Sequence, residues 1–239
     1  MRMRDRFRMG AVAAAVGVAL ALAACASRPD VDPSPRFAAA LAGASPAVVG
    51  IADSPNDAAG GAAKPDRPVI GSGFRIAGTN LIATAAHVVA GLRGAPVVVW
   101  QSRRWTARLL RSDVETDVAL LEVDPSAPMP GLALAEGDAG APGTWVLVIG
   151  CPFGALPTAT TGIVSARPGA VLRPESLRSQ MQLNAAVNPG NSGGPVVTLD
   201  AKVIGIANAT VPAGFGLGFA VPVSALRRLL DLSRTGPGN

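Results

Sequence analysis

The sequence predicts an all-β protein in which two successive sets of six strands are followed by a C-terminal helix. Short apolar and β-branched runs recur along residues 47–221, separated by Gly- and Pro-rich segments. A segment with four prolines and four glycines, residues 124–143, divides these runs into two groups. After the last run, leucines at 226, 229 and 230 recur at helical spacing and predict a helix over 223–232.

Each set of predicted strands is large enough for one small barrel. The first set covers residues 47–51, 69–76, 81–83, 96–100, 106–111 and 118–123, and the second covers 145–149, 159–166, 178–184, 195–198, 203–207 and 216–221. We therefore expect a first β-barrel within residues 37–126, opening with a short helix over 37–41. A second barrel, with the terminal helix, is expected within 127–239.

Residues 1–24 have the pattern of an export signal. Four arginines in the first eight positions precede an apolar stretch of 16 residues, whereas a membrane span needs roughly 20. The stretch ends in Leu22-Ala23-Ala24-Cys25, which looks like a bacterial lipobox. We expect Cys25 to be lipidated and residues 26–36 to tether the protein to a membrane of the bacterial cell envelope. The alternative is ordinary cleavage at a small-residue site, which would release a soluble protein.

The charge of the chain argues against nucleic acid as a partner. The formal net charge is +5, but residues 1–24 hold four basic residues and one acidic residue, and without them the net charge is +2. No cluster of Lys and Arg interleaved with aromatic residues remains. If Cys25 carries lipid, Cys151 is the one cysteine left, so no internal disulfide is expected and Cys151 is interpreted as a buried structural residue.

Ser192 lies in a tight, glycine-rich segment, residues 188–195, that suits a nucleophile. Such a turn exposes the serine hydroxyl beside bare backbone N–H groups, which can form an oxyanion hole. A serine nucleophile needs a neighbouring base, and His87 is the only histidine in the chain. Asp117, which precedes an apolar run, is the candidate carboxylate to orient the imidazole.

The order of these residues separates two classes of hydrolase. Residues 190–194 also match the G-x-S-x-G motif of α/β-hydrolases, which include esterases and lipases, but in that fold the histidine follows the serine. No histidine follows Ser192. The order His87, Asp117, Ser192 is instead that of the trypsin-like plan.

Six segments resemble successive signature blocks of HtrA/Deg-type serine proteases, which have the trypsin fold. The segments are Gly71-Ser72-Gly73-Phe74, Thr84-Ala85-Ala86-His87-Val88-Val89, Thr116-Asp117-Val118-Ala119-Leu120-Leu121, Thr161-Gly162-Ile163-Val164-Ser165-Ala166, residues 188–195 and Gly216-Leu217-Gly218-Phe219-Ala220-Val221-Pro222. The resemblance implies a trypsin-like double six-stranded β-barrel and a serine endopeptidase acting on unfolded polypeptides. It also implies assembly as a homotrimer, and no cofactor or metal is expected.

The same plan assigns the remaining site residues. Gly190 and Ser192 would supply the oxyanion-hole N–H groups, with Asn191 between them keeping the turn. Ala186, six residues before the nucleophile, would form the base of the primary pocket. An apolar base offers no counter-charge to Arg or Lys, so small or medium aliphatic residues are expected before the cut. The predicted pocket walls are Val187, Asn208, Ala209 and Thr210.

The chain departs from the family pattern in three respects. Asn184 stands where the family commonly has Asp, and Cys151 stands where Asn often precedes Pro-Phe-Gly. The family usually carries PDZ domains after the protease, but this chain ends shortly after Leu230, so we expect none. A non-enzymatic alternative is a trypsin-fold module that holds unfolded chains without cleaving them. The intact triad argues against it, because a pure binder has no physical need for all three groups.

Overall fold

The structure is a computed structural model that describes residues 33–54, 68–137, 139–151, 157–170, 175–210 and 216–234. The chain divides into two units, Met1–Pro35 and Arg36–Asn239, and residues 33–35 are the part of the first unit that the structure describes. The predicted signal peptide, Cys25 and the tether up to residue 32 lie outside the described residues. The strands of both sheets belong to the second unit.

Seven antiparallel strands form the first sheet. They are β1 (Val48–Asp53), β2 (Val69–Arg75), β3 (Leu81–Thr84), β4 (Pro96–Trp100), β5 (Arg103–Thr106), β6 (Arg108–Asp113) and β7 (Val118–Glu122). Their order across the sheet is β5-β4-β1-β2-β3-β7-β6. The two edge strands, β5 and β6, are separated along the chain by Ala107 alone, so the sheet curls until its edges meet.

The single strand predicted over residues 106–111 is two strands in the structure. Ala107 is 5% exposed, and its N–H donates to the carbonyl of Pro96 at 2.9 Å. The chain therefore leaves the ladder with β4 at this residue and joins β7 on the opposite edge of the curled sheet. Among the described residues, the first set therefore contains seven strands where six were predicted.

Six strands form a closed barrel, as predicted for the second set. They are β8 (Trp145–Gly150), β9 (Thr158–Ala166), β10 (Met181–Leu183), β11 (Pro195–Thr198), β12 (Val203–Thr210) and β13 (Gly218–Pro222), in the order β10-β13-β12-β11-β8-β9. Closure pairs the edges of the sheet with one another and removes free strand edges. The all-β fold class is confirmed.

Within the residues that the structure describes, three α-helices accompany the sheets: α1 (Ser34–Ala44), α2 (Ala86–Ala90) and α3 (Val223–Arg234). Helix α1 begins at Ser34, so residues 34–36, which the composition assigned to the tether, are helical. Phe37 packs edge-on against Trp145 with ring centroids 5.3 Å apart, and Ala40 and Ala44 are buried. These contacts give α1 a tertiary partner that a short isolated helix lacks. No helix in the described part of the chain is both long and apolar enough to span a membrane.

The largest core cluster joins both sheets and two helices. Phe74 and Leu120 of the first sheet, Leu147 and Ile206 of the barrel, and Leu226 of α3 all belong to it, and each is at most 1% exposed. The connecting segment between the sheets adds isolated bridges on each side, Ile76 with Leu132 and Leu134 with Val203. This shared core fixes the position of one sheet relative to the other. The candidate site residues come from both sheets, so their distances depend on this core.

Candidate active site

His87 lies in the one-and-a-half-turn helix α2, directly after β3. Its neighbours Ala86 and Val88 are buried, with 2% and 3% exposure, and anchor the helix to the first sheet. The His87 side chain lies on the opposite side and is 48% exposed. The short helix therefore presents the imidazole to solvent while its own backbone is fixed.

Asp117 lies at the end of the turn between β6 and β7, in a left-handed conformation with φ of 58°. Aspartate tolerates this conformation better than most non-glycine residues. Asp113 stabilises the turn, because its carboxylate accepts hydrogen bonds from the N–H of Glu115 at 3.0 Å and the hydroxyl of Thr116 at 2.6 Å. The Thr116 hydroxyl bond is the main cause that lowers the pKa of Asp113 below its ordinary value. The buried strand β7 begins at the next residue, Val118, and fixes the backbone on the C-terminal side of Asp117.

The Asp117 carboxylate holds His87 at two points. Its Oδ1 accepts from the His87 backbone N–H at 2.8 Å, and its Oδ2 lies 2.8 Å from the His87 Nδ1. Because a carboxylate only accepts, the hydrogen bond places the proton on Nδ1 and leaves Nε2 as the acceptor in the neutral ring. This is the orientation that a catalytic histidine requires.

Ser192 lies in a loop whose backbone is fixed almost completely by hydrogen bonds. Gly190 and Gly193 have φ of +94° and +86°, values that glycine adopts readily. The N–H groups of Gly190 and Ser192 have no acceptor among the described residues. The bonds within the loop and to the barrel run from the N–H of Asn191 to the carbonyl of Asn188 (2.9 Å), from Gly194 to Asn191 (2.9 Å) and from Gly193 to Ala207 (2.7 Å).

This pattern separates the roles of the predicted oxyanion-hole residues. The Asn191 N–H is used within the turn, and its residue is 4% exposed, in keeping with a spacer between two donors. The N–H groups of Gly190 and Ser192, on either side, are the two available for a ligand.

His87 and Ser192 line the same cleft, of about 490 Å³. The Ser192 hydroxyl donates to the backbone carbonyl of Asn208 in β12 at 3.0 Å. The walls come from both sheets, and no charged side chain is among the described lining residues. Apart from His87 and Ser192, these are Ile70, Val88, Gly91, Val187, Asn188, Pro189, Gly190 and Asn208.

The predicted pocket residues fall into three groups. Val187 and Asn208 line the cleft. Ala186 is exposed, accepts a hydrogen bond at its carbonyl from the Thr160 hydroxyl at 2.6 Å, and is not among the described lining residues. Ala209 and Thr210 belong to β12, but their side chains lie outside the described part of the structure.

Ser72 lies in a family-like segment, but the sequence does not single it out as a candidate functional residue. Ser72 in β2 is fully buried, and its hydroxyl donates to the carbonyl of Gly190 at 2.5 Å. It stands in the first of the six resembling blocks, but a serine within an apolar strand gives no sign of a partner 118 residues away. Cys151, interpreted as structural, is 3% exposed and lies in the core.

Comparison with known proteins identifies the family. Residues 71–206, which include His87, Asp117 and Ser192, match the family described as Trypsin-like peptidase domain. The chain belongs to this family. Its trypsin-like architecture, one closed barrel beside a curled seven-stranded sheet, agrees with that membership.

Curated relatives confirm the resemblance to HtrA/Deg-type proteases. A protein of Hahella chejuensis (strain KCTC 2396), described as "Probable periplasmic serine endoprotease DegP-like", is 41% identical over 170 residues, covering 70% of this chain and 36% of the relative. Proteins with the same description from Pseudomonas fulva (strain 12-X) and Rickettsia prowazekii (strain Madrid E) are 39% and 38% identical, over 76% and 68% of this chain and 38% and 33% of the relatives. The chain thus spans about a third of the length of these relatives.

Proposed function

We propose that this trypsin-family chain is a serine endopeptidase that cleaves unfolded polypeptides, with Ser192 as nucleophile, His87 as base and acid, and Asp117 as the orienting carboxylate. The observation that supports this most strongly is that the Asp117 carboxylate makes two hydrogen bonds to His87, one to its backbone N–H and one to its ring. It directs the only histidine of the chain into the cleft that Ser192 lines.

The chemistry follows from these positions. His87 Nε2 takes the Ser192 proton as Oγ attacks the peptide carbonyl, and Asp117 stabilises the imidazolium that forms. The imidazolium then gives its proton to the leaving amine, and water releases the acyl group by the same steps in reverse. The N–H groups of Gly190 and Ser192 stabilise the oxyanion, where loss of one donor typically costs about 10²–10³ in rate.

The cleft favours apolar side chains before the cut. Ile70, Val88 and Val187 line it, and no acidic residue among the described lining residues could pair with Arg or Lys. Ala186 stays the predicted base of the primary pocket. Burying an uncompensated cation here would be costly, so cuts after Val, Ala, Leu or Ile are expected to predominate. Mass-spectrometric profiling of cleaved, denatured protein tests this, and predominant cuts after Arg or Lys would contradict it.

We place the protein in the bacterial cell envelope, since relatives are described as periplasmic and the first 24 residues have an export pattern. Lipid on Cys25 would anchor it stably only if several acyl chains are attached, because one chain binds marginally. Cys25→Ser should move activity from the membrane pellet to the soluble fraction or leave an unprocessed precursor. An unmodified N-terminus in the intact mass of the wild type would contradict lipidation. The homotrimer likewise stays a prediction.

The activity itself is tested with denatured casein. Ser192→Ala and His87→Ala should each lower turnover by up to about 10⁶, and the double variant should lose little more, because the residues act as one unit. If the wild type binds casein without cleaving it, and Ser192→Ala binds equally well, the binding-module alternative replaces the protease.

A further inference from the structure

The peptide group between Gly190 and Asn191 is held from both ends. Its N–H donates to Asn188 at 2.9 Å, and its carbonyl accepts from the Ser72 hydroxyl at 2.5 Å. Gly190, with φ of +94°, has no side chain that would limit rotation about its φ and ψ bonds. These two dihedrals set the direction of the Gly190 N–H relative to the Gly190 carbonyl. The hydrogen bond that fixes the carbonyl therefore also limits the directions open to the N–H.

The next two peptide groups are fixed in the same way, and Ser72 contributes again. The Asn191 carbonyl accepts from the N–H of Gly194 at 2.9 Å, so the N–H on that peptide, of Ser192, points to the opposite side. The Ser192 carbonyl accepts from the Ser72 N–H at 2.8 Å. Among the polar groups of these three peptides, the Ser192 N–H is the one with no partner in the described structure.

Ser72 is itself immobilised. It is 0% exposed, its hydroxyl accepts from the Cys151 N–H at 2.7 Å, and its carbonyl accepts from the Thr84 hydroxyl at 2.6 Å. Any residue except proline could supply the Ser72 N–H. The hydroxyl, by contrast, is a specific requirement, since it alone joins the Gly190 carbonyl to the end of β8.

We propose that Ser72 is a positioning residue of the oxyanion hole, a role that rests on the proposed protease function. The Ser72 hydroxyl donates to the Gly190 carbonyl, and this bond orients the loop so that the N–H groups of Gly190 and Ser192 point into the cleft. Without the hydroxyl, the peptide after Gly190 loses its carbonyl partner and the Gly190 donor is no longer directed.

The effect of Ser72→Ala should fall on the chemical step. The donors act on the charge that develops in the transition state, so kcat should fall by about 10- to 100-fold, less than full loss of one donor. Substrate side chains contact the cleft walls, so KM should change little and kcat/KM should fall with kcat. Affinity for a peptide boronic acid, which forms a tetrahedral adduct at Ser192, should weaken in parallel.

Thr79→Val is the matched control. The Thr79 hydroxyl lies in the turn that follows the same strand, β2, where it donates to the Ile76 carbonyl at 2.9 Å and accepts from the Leu81 N–H at 3.1 Å. In the described structure it bonds neither Ser72 nor residues 188–195. Valine keeps the side-chain shape, so this variant should lose stability while kcat and inhibitor affinity stay within about twofold of the wild type. It separates loss of a stabilising hydroxyl bond from loss of the bond to Gly190.

The decisive experiment measures kcat, KM, boronate affinity and thermal unfolding for the wild type, Ser72→Ala and Thr79→Val. An unchanged kcat in folded Ser72→Ala, or an equal loss in Thr79→Val, overturns the role of Ser72. If Ser72→Ala does not fold, Ser72→Cys replaces it. The thiol is a weaker donor in the same place, so kcat and boronate affinity should fall together, and an unchanged kcat would overturn the role of Ser72. Wild-type turnover that does not depend on Ser192 would overturn the protease function instead, so the two failures are distinct.

Discussion

At the scale of single residues, Asp117 shows how an uncommon backbone conformation positions a side chain. Its left-handed φ of 58° lets the carboxylate turn back toward α2, where it bonds both the backbone and the ring of His87. The carboxylate side chain is only 17% exposed, so water competes weakly for these bonds. One residue thereby fixes the position, ring plane and tautomer of the histidine.

Asp117→Asn should leave the fold intact but lower peptide hydrolysis by roughly 10⁴, because an amide no longer enforces the proton on Nδ1. Steady-state kinetics with a circular-dichroism check measures this. Asp124→Asn is the control, since Asp124 is exposed and its carboxylate bonds only Ser126, two residues further along, in the described structure. A larger rate loss in Asp124→Asn than in Asp117→Asn would show that the wrong carboxylate has been chosen.

The residues that the sequence predicts for the site are those whose chemistry leaves few alternatives. The single histidine of the chain gives one candidate base, and a glycine-rich turn indicates the candidate serine. Ser72 could not be found this way, because its role depends on a carbonyl contributed by another sheet. The surroundings of Ala186, the predicted pocket base, are equally non-local, since its carbonyl accepts from the hydroxyl of Thr160 in β9.

At the scale of elements, the turn between β6 and β7 is built around Asp113. Its Oδ1 accepts from the N–H groups of Glu115 and Thr116, at 3.0 and 3.3 Å, and its Oδ2 accepts from the Thr116 hydroxyl. These bonds are stronger when the carboxylate is ionised, because both of its oxygens then only accept. The turn that carries Asp117 therefore has a stability that depends on pH.

The pH dependence has a definite sign. The Thr116 bonds lower the pKa of Asp113 below its ordinary value of 3.8, so the carboxylate stabilises the folded state above 3.8. That stabilisation is lost as the pH falls through the lower, folded value. Asp113→Ala should thus reduce the melting temperature at neutral pH, and the gap to the wild type should close below 3.8. A gap that stays constant down to the lowest pH at which the protein folds would contradict this source of stability.

Element boundaries show where local sequence information ends. The run over residues 106–111 has a continuous strand pattern, yet the chain changes partners at Ala107 because the chain passes there from one edge of the curled sheet to the other. Helix α1 extends beyond the predicted 37–41 to Ser34–Ala44, and its last residue, Ala44, is 0% exposed in the core that both sheets share. In both cases a tertiary contact overrides a local pattern that was otherwise correct.

At the scale of the whole molecule, the two sheets depend on one core. Leu226 of α3 is 0% exposed and belongs to the cluster that also contains side chains from the first sheet and the barrel. The histidine and aspartate come from one sheet and the serine from the other. The distances between these three residues therefore depend on the packing of this shared core.

Leu226→Ala should lower the free energy of unfolding by about 2–5 kcal/mol, the usual cost of a cavity at a fully buried leucine. Because both sheets share the core, they should still unfold in a single transition. Leu232→Ala, at a leucine of the same helix that is 54% exposed, should change stability by no more than about 0.5 kcal/mol. Denaturant titration followed by fluorescence measures both variants, and a separate early transition of one sheet would argue against a shared core.

The central claim is that Ser192 is a nucleophile activated by His87, and covalent labelling tests it most directly. A fluorophosphonate reacts with an activated serine and not with an ordinary hydroxyl. Peptide mapping of the labelled wild type should place the adduct on Ser192, and labelling should be abolished in His87→Ala while that variant stays folded. An adduct on another serine, or labelling of Ser192 that does not depend on His87, would contradict the claim.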